Sequence, residues 1–214
     1  MHAAKPIFSA ATVFVVDDDA AVRAALVNLL ASDGYQVRPF ACAREFLAIS
    51  LPFEPACLIL DMHMPALDGL DVVAELARSG AAIPVIFLTG FGSIPLSVQA
   101  MKAGAIEFLT KPVQPELLLG AVRAALDGDA AALVARRELA ALRERHASLT
   151  PRERETMELV IGGLLNKQVA DAMGISEIMA KTHKRKVMEK MQARSLPDLV
   201  RDCARLQIVS RRHR

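Results

Sequence analysis

The chain has 214 residues, 53% hydrophobic and 23% charged, with a net charge of +2 at neutral pH; that length supports one large or two small domains, each burying its own core. The start Met1-His2-Ala3-Ala4-Lys5-Pro6 has no apolar signal core and no stretch approaches a membrane span, which argues against secretion and a membrane partner and predicts a cytoplasmic protein. The small total hides an asymmetry, because residues 1 to 128 carry 8 basic and 13 acidic side chains and the remainder 18 and 11, so the second half alone is suited to a polyanion.

The first apolar run, residues 12 to 16, drives straight into Asp17-Asp18-Asp19. Adjacent carboxylates at the end of a buried strand repel unless something neutralises them, and a hard divalent cation with oxygen ligands does so best. The other reading of this segment has Asp19 capping the next helix and its neighbours solvated. Ala20 to Ser32 is 3.6-periodic, with Val22, Leu26, Leu29 and Leu30 on one side and Gly34 as its stop. Further short apolar runs at 35 to 39, 56 to 60, 84 to 88 and 106 to 109, punctuated by Pro55, Pro84 and Gly104, predict four more strands alternating with helices. Such alternation predicts a five-stranded parallel sheet with helices on both faces, binding its ligands beyond the carboxyl ends of the strands. Strand 3 ends in Asp61, strand 4 in Thr89-Gly90, and strand 5 in Phe108-Leu109-Thr110-Lys111-Pro112. Acids with a cation, a hydroxyl and an ammonium at neighbouring strand ends suit phosphoryl transfer, where positioning and charge neutralisation do most of the catalysis. Cys42, Cys57 and Cys203 form no CxxC pair and predict ordinary thiols in a reducing compartment.

Residues 116 to 126 predict the fifth helix of this part. Asp127-Gly128-Asp129 is expected to break it before a new helical stretch begins at Ala130. There Ala132, Ala135, Leu139, Leu142, His146 and Leu149 space an apolar stripe suited either to a spacer helix packed on a neighbouring domain or to a coiled coil. Four short helices follow, over Pro151 to Ile161, Lys167 to Met173, Glu177 to Met191 and Pro197 to Leu206. Thr150 and Glu153 form a capping box around Pro151, and Gly162-Gly163 ends that helix. Gly174-Ile175-Ser176 makes a tight turn with Ser176 as the cap of the next helix, the layout of a helix-turn-helix. The helix from Glu177 sets Lys181, Lys184, Arg185, Lys186 and Lys190 against a buried stripe of Ala180, Val187 and Met191, as insertion into a major groove requires.

The pieces Val-Val-Asp-Asp-Asp, Leu-Asp-Met-His-Met-Pro, Leu-Thr-Gly and Phe-Leu-Thr-Lys-Pro stand in an order and spacing that resembles the flavodoxin-like receiver domain of two-component response regulators over residues 10 to 126. That resemblance implies Asp61 as the phosphoacceptor for a sensor histidine kinase. It implies Mg²⁺ or Mn²⁺ held by Asp18, Asp61 and the main-chain carbonyl of His63, with Asp17 reaching it through water and the His63 ring facing solvent. It makes Thr89 and Lys111 the phosphoryl-oxygen ligands, Lys111-Pro112 a frequently cis bond, and Thr89 with Phe108 the switch pair. Gly90-Phe91-Gly92-Ser93 departs from the Gly-His-Gly-Asp common in the FixJ-type subfamily, and Phe91 is expected to alter phosphorylation rate or phosphoryl lifetime rather than fold.

Leu149-Thr150-Pro151-Arg152-Glu153, Asn166-Lys167-Gln168-Val169-Ala170 and Lys181-Thr182-His183 resemble the LuxR-type DNA-binding domain over residues 147 to 208. By that likeness Lys181, Thr182 and Arg185 contact base edges and Lys167 and Lys184 phosphate; Lys190 and Lys186 read as a solvated face, and His183 as partly buried between helices. Relatives usually carry a polar residue, Thr and Val where Ile178, Met179 and Ala180 stand here, which predicts an altered operator preference. The whole chain is thus similar to FixJ-type transcriptional regulators: a receiver at 10–127, a helical linker at 128–147 and a four-helix DNA-binding domain at 148–208. The partners implied are a sensor histidine kinase, double-stranded promoter DNA with an inverted repeat, RNA polymerase and a second copy when phosphorylated; the chain is expected not to be an enzyme in its own right. Two rival readings are a regulator that switches without phosphate and a flavodoxin-like phosphohydrolase, although Asp61-Met62-His63 lacks the second acid of an Asp-x-Asp nucleophile loop.

Overall fold

A computed structural model describes residues 11–65, 67–90 and 94–210; Phe91 and Ser93, to which the sequence attaches an expectation, lie outside them. Two compact units divide at Val134 and Ala135.

In the first unit the strands β1 (Thr12–Val16), β2 (Gln36–Phe40), β3 (Ala56–Asp61), β4 (Val85–Thr89) and β5 (Glu107–Thr110) form one sheet in the order β2-β1-β3-β4-β5. Every neighbouring pair is parallel. Between them run α1 (Ala20–Ser32), α2 (Ala43–Leu47), α3 (Gly69–Ser79) and α4 (Ile94–Lys102), and α5 (Pro115–Ala147) follows β5. Alternate residues of the central strands enter separate cores. Phe14, Val16, Leu58, Leu60 and Phe87 pack with Phe46 of α2 and Val72 and Leu76 of α3, while Val13, Val15, Cys57, Ile59 and Ile86 pack with Leu26 and Leu30 of α1 and Leu118, Val122 and Leu126 of α5. Both faces of β1, β3 and β4 are therefore covered, which is why those strands read as unbroken apolar runs. Each such side chain, fully buried, contributes about 1.5–3 kcal/mol, enough together to hold charged side chains rigidly at the strand ends.

One expectation fails in α5. The helix runs unbroken through Asp127-Gly128-Asp129. Asp residues end helices when their side chains compete for local backbone groups, but the buried Asp129 carboxylate accepts the amide N–H of Ala56 at the start of β3 (3.0 Å) instead. A single interior glycine costs only about 1 kcal/mol, which the apolar face ending in Ala125 and Leu126 offsets.

The second unit holds the end of α5 with α6 (Pro151–Ile161), α7 (Asn166–Met173), α8 (Glu177–Met191) and α9 (Leu196–Arg205). Thr150 and Glu153 make the expected capping box, Gly163 takes the left-handed turn at φ 93°, and Ser176 caps α8. One core joins Leu142 and Leu149 to Met157, Val187, Met191 and Leu199; another joins Leu159, Val160, Val169 and Met173 to Ala180. The apolar stripe of the linker is therefore real only at its end, since Ala132 and Ala135 are exposed.

Candidate functional sites: an acidic cluster and a basic helix face

Four strands deliver their last residues to one edge of the sheet. β1 leads into Asp17 and Asp18, β3 ends on Asp61, β4 on Thr89, and Lys111 follows β5 directly. The Lys111 main-chain N–H donates to the Thr89 carbonyl (2.7 Å), and the Lys111-Pro112 peptide bond is cis. The Lys111 ammonium bridges two acids, donating to Asp17 Oδ2 (2.7 Å) and Asp61 Oδ2 (2.8 Å).

Asp17 is 1% exposed. Its Oδ1 accepts the N–H of Asp19 (2.9 Å), and the Arg23 guanidinium donates to its carbonyl (2.6 Å). Burial pushes the Asp17 carboxyl above the usual carboxylate range, with the Lys111 hydrogen bond working against it. For Lys111 burial acts to lower the ammonium, but the hydrogen bonds to Asp17 and Asp61 outweigh it and the net shift is upward. One ammonium serves two buried carboxylates while Asp18 stands exposed beside them, so the cluster keeps a formal excess of two negative charges. Asp17, Asp18 and Asp61 bring carboxylate oxygens within 4.8 Å of one another. Oxygen donors in that number with that excess suit one hard divalent cation. The two readings of the acidic run divide by residue: Asp19 is the cap of α1, accepting from Ala21 (2.8 Å) and Val22 (3.2 Å), and its two predecessors join the cluster.

The His63 main-chain N–H faces Asp61 Oδ1 at 3.4 Å, while its side chain is 52% exposed and 4.0 Å from Asp68. Thr89 is fully buried. Phe108 is half-buried, aligned with Phe87 across the β4–β5 pair and packed on the core that contains Phe14. Two residues that sequence reasoning missed support this end of the sheet. Arg23 ties the acidic loop to α1, and Gly69 lies so close to the Asp61 carbonyl that an added Cβ would stand 2.8 Å from it and 2.8 Å from the Phe87 ring. The motif Asp68-Gly69 at a helix start was the only available signal for the latter.

In the second unit, α7 stops at Gly174 (φ 63°) and α8 begins after Ser176, whose hydroxyl accepts the Met179 N–H (3.2 Å). Ala180, Val187 and Met191 are buried, whereas Lys181, Thr182 and Arg185 are exposed and Lys184 is half-buried. Lys167 is exposed in the first turn of α7. An open groove of about 630 Å³ runs along this face, lined by Lys181, Thr182, Lys184 and Arg185 with Asn166 of α7; Asn166 was passed over because its approach to α8 is a tertiary fact. Arg185 faces Glu189 at 3.5 Å with both side chains largely exposed, a pair worth little in water. Lys190 corrects the expectation of a solvated face. It donates to Glu153 Oε2 (2.6 Å) and to the Ser148 carbonyl (3.1 Å), tying α8 to the start of α6. His183 is half-buried, its Nδ1 enclosed without a hydrogen-bond partner among the described residues.

No described helix is long and apolar enough to cross a membrane. Residues 13–123 match the family model of the response regulator receiver domain, and residues 147–202 that of the bacterial regulatory proteins of the luxR family. Nodulation protein W of Bradyrhizobium diazoefficiens is 48% identical over 191 residues, covering 89% of this chain and 84% of its own. Response regulator protein TodT of Pseudomonas putida is 42% identical over 198 residues, covering 92% and 87%. Among solved structures, that of response regulator StyR superposes with a TM-score of 0.83 at 44% identity, covering 91% of this chain and 98% of the other.

Proposed function

The chain belongs to the two-component response regulators that join a receiver domain to a LuxR-type DNA-binding domain, and from that membership we propose that Asp61 is the residue through which it is switched. The chain is a phosphorylation-dependent transcription regulator, with a sensor kinase on its input side and DNA on its output side. Its part in the chemistry is that of a phosphoacceptor. A carboxylate oxygen of Asp61 forms a bond to the phosphorus of a kinase phosphohistidine as the P–N bond breaks; the imidazole nitrogen keeps the electron pair and takes up a proton. The observation that carries this reading is the Lys111 ammonium held between Asp17 and Asp61, where it neutralises charge on the acceptor and stands ready for an incoming phosphoryl oxygen. Thr89 supplies a second donor.

Asp18, Asp61 and the carbonyl of His63 would hold Mg²⁺ or Mn²⁺, with Asp17 reaching it through water. Asp17 Oδ1 and Oδ2 are held by the Asp19 N–H at 2.9 Å and the Lys111 ammonium at 2.7 Å, whereas Asp61 Oδ1 meets only the His63 N–H at 3.4 Å, a weaker hold that leaves it the freer oxygen for a cation. The cation supplies neutralisation between the acids and the phosphoryl group. The phosphoryl group carries about −1.5 to −2 charge, and because Asp61 gives up its own negative charge in the acyl phosphate, the site gains about −0.5 to −1 net, placed farther out on three acceptor oxygens. Thr89 moves toward it and Phe108 turns inward, and carrying such an equilibrium from 1:99 to 99:1 takes roughly 5.5 kcal/mol, within the reach of a few charge-assisted bonds.

A second copy docks on the face made by α4, β5 and α5, where Val98, Met101 and Leu117 are about half exposed. Such a dimer presents two α8 helices to an inverted repeat whose half-sites lie about one DNA turn apart. Lys181, Thr182 and Arg185 read bases, Lys167 and Lys184 hold phosphate, and RNA polymerase is the further partner. The working boundaries are a receiver at 10–127, a linker at 128–147 and a DNA-binding domain at 148–208, in a cytoplasmic protein.

Acetyl phosphate with a magnesium salt, read by intact mass and by DNA mobility shift, tests this. The parent is expected to gain one phosphoryl group and to shift DNA at lower concentration, and Asp61→Asn to do neither. Equal DNA affinity with and without phosphorylation would favour a regulator that works without phosphate, and steady turnover of the donor a hydrolase.

A further inference from the structure

On α8 the residues Ile178, Lys181, Thr182 and Arg185 follow the spacing i, i+3, i+4, i+7 and so form one stripe. The stripe opens on an anomaly: Ile178 is 80% exposed although it can make no hydrogen bond with its side chain. It lines the same groove as Met188 and the cations Lys181, Lys184 and Arg185; three positive charges set around a largely apolar wall suit a polyanion that also presents an apolar group. Next along the stripe, the Thr182 hydroxyl donates to the main-chain carbonyl of Ile178 (2.9 Å). Its single proton is engaged there, which leaves the groove an acceptor oxygen and a methyl group but no O–H donor. The stripe thus holds one wholly apolar side chain, Ile178, beside two cations and a hydroxyl that can only accept.

A duplex offers a matching surface in one place. In the major groove the thymine C5-methyl is the apolar group that projects from a base edge, and the first turns of a recognition helix are those that reach base edges. We infer that Ile178 is a specificity-determining residue that selects a thymine through its C5-methyl group, next to the bases read by Lys181 and Arg185. The inference rests on the DNA-binding reading of α8 and adds to it a base and a chemical group. Of the other first-turn side chains, Glu177 is an acid and cannot supply the contact, Met179 is 50% exposed but does not line the groove, and Ala180 is buried.

The test uses the full-length protein treated with acetyl phosphate. A binding selection from random duplexes identifies the preferred half-site, and each selected thymine is then replaced by deoxyuridine, which removes the methyl and nothing else. One thymine per half-site is expected to lose roughly fourfold in affinity on replacement, the about 0.8 kcal/mol of a buried methyl-sized group converted at 1.4 kcal/mol per tenfold. In Ile178→Ala the same replacement is expected to change affinity less than 1.5-fold, and in Ile178→Leu to keep most of the parent effect. Selective binding in which every replacement is silent, or in which the penalty persists unchanged in Ile178→Ala, overturns the assignment while leaving α8 as the DNA reader. Ile178→Ala that lowers self-association by sedimentation without altering base choice also overturns it, giving the side chain to a second copy. Absence of any sequence preference in the parent overturns both the assignment and the reading beneath it.

Discussion

Gly69 shows how narrowly one residue can be specified. A Cβ there would meet the Asp61 carbonyl and the Phe87 ring at 2.8 Å and the Met62 Cα at 3.2 Å, and main chain has no flexible end that can swing aside. Gly69→Ala is expected to cost about 1–3 kcal/mol, the usual range for overpacking, seen as a lower urea midpoint, and to slow phosphorylation because the displaced carbonyl belongs to Asp61, the phosphoacceptor we propose. The buried Glu153 gives a pH dependence of definite sign. The hydrogen bond from Lys190, then those from Thr150, hold its carboxyl below the ordinary 4.5 despite burial. A depressed folded value means that the stabilisation is complete above 4.5 and is lost as pH falls through the folded value. In Glu153→Gln the acid-side loss of stability of the second unit, followed by circular dichroism between pH 5 and pH 3, is expected to be shallower. Lys190→Met is expected to cost about 1 kcal/mol, below the roughly 1.5–3 of a charged hydrogen bond, since the lysine is 36% exposed and water screens it. Asp17, Asp61, Thr89 and Lys111 were legible in the sequence because each ends or follows an apolar run. Arg23, Gly69 and the Glu153–Lys190 pair were not, because their meaning depends on neighbours that only folding brings together.

At the scale of elements, strand and helix alternation was legible almost throughout, since two-residue and 3.6-residue periods are local properties. The cap residues Thr150 and Ser176 were equally plain. α5 was the exception: the signal of Asp127-Gly128-Asp129 is local, whereas the bond from Ala56 that satisfies Asp129 comes from a strand 73 residues away. Gly128 is then a weak point in a helix that has no need of it. Nothing lies within 4 Å of where its Cβ would stand, so Gly128→Ala is expected to stabilise the protein by about 0.4–1 kcal/mol through the unfolded chain, measured as a raised denaturation midpoint with phosphorylation unchanged. A lower midpoint would show that the helix needs freedom at that position.

The charge division of the whole chain gives the DNA-binding half its solution behaviour. Phosphate contacts release counterions, and log affinity falls with log salt by about 0.9 for each. Removing Lys167, exposed at the start of α7, is expected to weaken binding evenly across sequences and to reduce that slope by about 1, whereas Lys181→Ala is expected to relax base preference; titrations at several salt concentrations separate the two. In the other half, every group of the acidic cluster stands at the carboxyl ends of the strands, and the opposite rim, with the loop before Pro55, whose carbonyl takes the first N–H of β1, carries none of it. Parallel strands thus keep the two rims chemically independent. A fluorophore or affinity peptide grafted beside Glu54 would sit at the rim away from the acidic cluster, where it reports on the domain without entering the site at the other end of the strands.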